Sequence, residues 1–199
     1  MSSFPKFDRA RVQERLRELG PREQVAFAAL CAERLLPYYR WFSSTERWGS
    51  FDRLRNALDA VWGHVEGQPQ SREQYEQLVA DCRRLTPDTE DFNSPLAARA
   101  MDASVAVITA LKMCVEPSER RGAEVAEVAA DAAFGVEQIN ASDDLGEIRV
   151  ADPEQLRKLF GSGRVQHELQ TQAAVLDVLR SGAALVDVAP LRESYGLAS

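Results

Sequence analysis

A glutamate and an arginine stand side by side, Glu33 and Arg34, inside the otherwise apolar stretch Phe27-Ala-Ala-Leu-Cys-Ala-Glu-Arg-Leu-Leu-Pro-Tyr-Tyr-Arg-Trp-Phe42. A buried charge without a partner is costly, so whatever packs around this segment has to supply one. At helical spacing Phe27, Leu30, Cys31, Arg34, Tyr38 and Trp41 share a face, which turns the guanidinium toward the core side. Pro37 lacks the N–H of a helical residue and crowds the preceding turn, which predicts a kink close to the charged pair.

The rest of the chain reads as helix after helix, each bracketed by start and stop signals. Asp8 caps a helix to about Leu19, ended by Gly20-Pro21, and the second runs from about Arg22 to Ser43. Ser50 caps a third with an apolar stripe through Leu54, Leu58, Val61, Trp62 and Val65, and Ser71 with Gln74 forms a capping box for a fourth that stops at Thr86-Pro87. After an acidic linker from Asp88 to Ser94, Pro95 opens a helix to about Val115 that is apolar almost all round, and such a helix belongs at the centre of a bundle. A sixth helix starts at Pro117-Ser118 with Val125, Val128, Ala129, Ala132, Val136 and Ile139 inward and Glu124, Glu127 and Asp131 outward, and 140–151 is expected to be a loop. Asp152-Pro153 starts another helix, and a C-terminal pair follows at about Val165 to Arg180 and Ala184 to Glu193. No segment alternates like a strand. The expected fold is all-α, one domain over 1–199 with a loose tail at 1–7, a multi-helix bundle of about seven to nine helices.

Several function classes lose support at this level. A formal net charge of -7 is the wrong sign for nucleic-acid binding, which depends on clustered Lys and Arg. No long apolar run free of charge offers a membrane span, and Met1 to Asp8 lacks the order of a secretory signal. Cys31, Cys82 and Cys114 are odd in number and lie among apolar helical neighbours, which predicts buried free thiols in a reducing cytoplasm. His64 and His167 are the only histidines and have no metal-building spacing, and no phosphate loop, nucleophile elbow or dinucleotide fingerprint occurs. Neither a metal nor a cofactor is expected.

The Phe27–Phe42 block, Leu58-Asp59-Ala-Val-Trp62, Asp91-Phe92, Met101-Asp-Ala-Ser-Val-Ala106 and, more loosely, Gln166-His-Glu168 and Glu193-Ser194 follow one another as in the YjaG-like family, which the chain resembles. That family is a group of bacterial helical domains of unknown function. The apolar tail expected after Tyr195-Gly196 is nearly absent here. The resemblance implies an all-α cytoplasmic bacterial protein and a link to histidine-kinase signalling, and supplies no reaction.

Two candidate sites remain. Arg34 is expected to pair with Asp59 or Asp102, and Glu33, Arg34, Asp59 and Asp102, floored by Trp62 and Tyr39, form either an internal ion network or a pocket for a small ligand or for chemistry. The acidic linker with Asp88, Glu90 and Asp91, anchored by Phe92, is either a solvated turn or a candidate partner surface to which Trp48 belongs. Trp41, Phe42 and Trp48 either fold back under the N-terminal helix or leave a patch for a partner or a homodimer. The leading expectation is a non-enzymatic interaction or regulatory protein. The alternatives are a ligand binder or enzyme using the charged pocket, and an immunity protein that masks a basic toxin.

Overall fold

The computed structural model describes residues 7–141, 163–182, 185, 190 and 192–193. Among the described residues seven α-helices follow one another: α1 Arg9–Arg17, α2 Pro21–Glu46, α3 Phe51–Val65, α4 Arg72–Arg84, α5 Pro95–Val115, α6 Glu119–Ala141 and α7 Arg164–Arg180. Among the described residues there is no strand, and the fold is all-α. The expected helix from Asp152 lies outside the described residues, as does most of the last helix from Ala184 and all of the 140–151 loop beyond Ala141.

Local chemistry sets the boundaries. The side chains of Asp8, Ser50, Ser71 and Ser94 each accept a backbone N–H from the first turn of the helix they precede, satisfying donors that have no intrahelical partner. At α4 the cap is reciprocal, because the Gln74 side chain accepts the Ser71 N–H at 2.8 Å. The second helix is longer than expected at its far end: it continues through Pro37, which has no N–H for the Glu33 carbonyl, and stops where Arg47 turns left-handed at φ 52°. Gly49 follows at φ 73°, and a Cβ there would lie 2.3 Å from the Tyr39 hydroxyl, so only glycine fits this close approach.

Two helices share the centre. α5 packs against α2, α3, α4 and α6, and only Pro95 and Val105 are exposed along it. α2 meets α3, α5, α6 and α7, and every residue from Val25 to Leu36 is buried, Glu33 and Arg34 included. One hydrophobic cluster therefore draws on α1 through α7. No helix among the described residues is long and apolar enough to cross a membrane.

Phe42, near the end of α2, and Trp48, just beyond it, pack together on the linker that precedes α5. Phe42 is fully buried and meets Trp48 and Phe92 edge to face at 5.8 and 4.9 Å between centroids, while Trp48 and Phe92 meet at 5.4 Å. The triangle closes the end of α2 onto the 85–94 linker rather than onto α1, which packs on α6. Edge-to-face contacts hold Trp48 and Phe92, both half-buried, against the fully buried Phe42.

Candidate functional site

Successive residues on a helix point about 100° apart, and α2 uses this to send Glu33 and Arg34 to different neighbours. Arg34 enters the seam between α6 and α7. Its Nε and Nη2 donate to the two carboxylate oxygens of Glu168 at 2.7 Å each, and its Nη1 donates to the Leu30 carbonyl at 3.0 Å. Glu168 Oε1 also accepts from Gln172 Nε2 at 2.8 Å, and the same nitrogen donates to the Ala126 carbonyl at 2.9 Å, so one network joins α2, α6 and α7. Arg34 and Glu168 are each 7% exposed. A planar guanidinium facing a carboxylate in two parallel bonds is the arrangement that best offsets the cost of removing both charges from water.

This overturns the expectation that Arg34 pairs with Asp59 or Asp102. Both carboxylates lie on other flanks, and Glu168, one turn into α7, takes the guanidinium. Burial alone would push the Glu168 carboxyl up, but the Arg34 charge and the hydrogen bonds from Arg34 and Gln172 hold it below the usual glutamate range. Burial would lower the Arg34 value, and Glu168 and Cys31 more than reverse that. The cavity beside the pair, lined by Tyr38, Ala129, Ala133, Arg164 and His167, measures about 30 Å³, room for a water molecule and not for a substrate.

Glu33 faces α3. Its two oxygens accept from Arg55 at 2.6 and 2.9 Å and from Trp62 Nε1 at 2.7 Å. Arg55 also donates to Asp59 Oδ1 at 2.8 Å, and Arg192 lies 3.1 Å from both Glu33 and Asp59 with its guanidinium over the Trp62 ring. Glu33, Asp59 and Trp62 thus do come together, around two arginines that stand in for Arg34. Tyr39 belongs elsewhere: its hydroxyl donates to the Leu85 carbonyl at 2.8 Å and holds the linker against the end of α2.

Asp102 forms a third, separate group. Arg99 Nη2 approaches Asp102 Oδ2 to 3.3 Å, which is ion-pair distance but not hydrogen-bond alignment, and that buried oxygen has no hydrogen-bond donor. Arg99 instead directs Nη1 to the carbonyls of Asp131 and Ala132 on α6, passing over Gly135, where any Cβ would collide with it. Burial pushes the Asp102 carboxyl up to about 6 against the pull of Arg99, with Asp131 adding to the rise. A carboxyl raised in the fold contributes stability that is present below its ordinary value near 4 and lost as pH rises through 6. Asp102→Asn, neutral throughout, is accordingly expected to gain on the wild type as pH rises from about 4 to 7. Urea unfolding at several pH values checks this, and a constant difference between the two proteins would refute it.

Of the proposed partner surface, Asp88, Glu90 and Asp91 are exposed. Asp88 Oδ1 accepts the Glu90 N–H at 3.0 Å and its carbonyl accepts the Asp91 N–H, which stiffens the turn. All three cysteines are buried and free, and burial pushes each thiol up to about 12, far from the thiolate a nucleophile needs. Among the described residues no group of three or more His, Cys, Asp or Glu could hold a metal ion.

Sequence reasoning missed Glu168, Gln172, Arg55 and Arg192. Three of these had a readable signal: Arg55 is one helical turn from Asp59 on α3, and Glu168 and Gln172 are one turn apart on α7. Glu168 also ends the Gln166-His-Glu168 segment that carries part of the family resemblance.

A family model described as "Protein of unknown function (DUF416)" matches residues 11–195. A crystal structure of a DUF416 family protein from Shewanella baltica OS155 superposes with a TM-score of 0.68 over 91% of this chain and 86% of that one, at 20% sequence identity, a likeness of fold. No curated protein matches the chain.

Proposed function

The chain belongs to the DUF416 family, and from the geometry of its charged groups we propose that it is a non-catalytic helical module that acts by binding another protein. The observation that carries this reading is that the buried charged residues among those described, Glu33, Arg34 and Glu168, are all engaged in intramolecular pairs, and that the cavity beside Arg34 and Glu168 measures only about 30 Å³. Groups tied up in this way orient helices. They are poorly placed to meet a substrate.

The partner face in this reading is the acidic turn of Asp88, Glu90 and Asp91. Its internal hydrogen bonds and its anchor, Phe92 packed on Phe42 and Trp48, order the backbone that carries the three carboxylates, so less backbone ordering is lost when a basic partner docks. A cytoplasmic setting suits the three free thiols. A role beside a signalling kinase, implied by the YjaG-like resemblance, would use the same face.

The test compares cross-linked partners of the wild type with those of Asp88→Lys/Glu90→Lys/Asp91→Lys, followed by reconstitution from purified components. We expect a partner whose affinity falls at least about tenfold in the charge-reversed variant and falls with rising salt. A partner indifferent to both overturns the acidic face. Turnover of a metabolite by the purified chain overturns the non-catalytic reading.

A further inference from the structure

A second surface has a different chemistry from the acidic turn. Between α4, α5 and the start of α6 lies an open cleft of about 300 Å³, ten times the cavity beside Arg34 and at the lower end of the range that holds small ligands. Its floor is apolar: Tyr75, Val79 and Leu111 are 2%, 8% and 0% exposed, and Val115 completes it. The Tyr75 hydroxyl is already engaged, accepting the Gln70 N–H at 3.1 Å.

The rim is basic. Arg121 is neutralised by Glu116 at 2.9 Å, and Arg72 makes only a long 3.8 Å contact with Glu76. Arg83 and Lys112 have no carboxylate partner among the described residues. Arg83 and Lys112 thus bring two cations without carboxylate partners to the mouth of a buried apolar floor. Lys112 also interrupts the apolar central helix at this one place on the cleft, where its aliphatic stem can cover Leu111 and Val115 while its ammonium stays at the mouth.

We infer that this cleft binds a small amphiphilic anion, a carboxylate or phosphate head held by Arg83 and Lys112 with an apolar body on Tyr75, Val79 and Leu111. The volume is too small for a peptide helix, and the open mouth allows exchange without a conformational step. The inference is independent of the acidic partner face, and either can fail alone.

The test uses decanoate and phenyl phosphate as amphiphilic probes, with decanol and inorganic phosphate as single-feature controls, followed by backbone amide chemical shifts and calorimetry on the full chain. Shift changes are expected at Val79, Leu111 and Val115 with at least one amphiphilic probe, and at least about tenfold weaker binding of each control. Arg83→Gln/Lys112→Gln, both at the rim, is expected to lose that affinity by a similar factor, whereas Arg11→Gln, on the exposed side of α1, keeps it. No mapped shift with either amphiphilic probe overturns the site. Inorganic phosphate binding as tightly as phenyl phosphate, or decanol as tightly as decanoate, also overturns it, and these comparisons need no variant to fold.

Discussion

Arg34→Met is expected to destabilise the protein by about 3 to 5 kcal/mol at neutral pH, because it leaves the Glu168 carboxylate buried without its guanidinium partner. The double variant Arg34→Met/Glu168→Leu is expected to recover most of that loss, since an apolar pair of similar volume carries no desolvation cost. The pH dependence separates charge from packing. In the wild type the Glu168 carboxyl is held low, so its contribution is present above the ordinary glutamate value and is lost as pH falls through the lower folded value. In Arg34→Met the lone carboxyl is raised instead, and the deficit should shrink as pH falls toward 5 and the group takes up a proton. Urea unfolding of both variants at neutral and acidic pH measures this. A single-variant loss below about 1 kcal/mol, or a double variant worse than the single, would falsify the account of the pair.

The second large effect is expected at Trp62, 1% exposed and among the largest fully buried side chains of the core. Trp62→Ala removes the indole from between Glu33 and Arg192 and is expected to cost about 3 to 5 kcal/mol through the cavity it leaves. Trp62→Phe keeps most of the ring but loses the Nε1–H donated to a buried carboxylate, and about 1.5 to 3 kcal/mol is expected. Thermal and urea unfolding followed by circular dichroism check both, because losing one of the three tryptophans would itself change the fluorescence signal. If Trp62→Phe matches the wild type within about 0.5 kcal/mol, the hydrogen bond to Glu33 contributes nothing.

What could be read from the chain, and what could not, divides by sequence distance. The caps at Asp8, Ser50, Ser71 and Ser94 act within three residues, so residue type alone located four helix starts. The apolar surround of α5 placed it at the centre for the same local reason. The bond from Arg34 to Glu168 spans 134 positions, and no local pattern distinguishes that carboxylate from Asp59 or Asp102. The need for a partner was legible, but its identity depended on how α7 docks. Likewise the aromatic cluster is visible in the sequence as Phe42 and Trp48, whereas its closing member, Phe92, lies beyond α3 and α4, and no local pattern joins it to them.

The adjacency of Glu33 and Arg34 on α2 has a consequence for insertions and deletions. A shift of packing by one residue, whether by rotation of the helix or by a single-residue deletion upstream, would in one direction set Arg34 against Arg55 and Arg192 and leave Glu168 facing Leu35, and in the other set Glu33 against Glu168 and leave the two arginines facing Ala32. Repulsion would then replace attraction on one flank while the other lost its partner. Two opposite charges in succession thus work like a parity check on the buried helix: an apolar stretch alone could dock in neighbouring registers at similar energy, and this pair admits one.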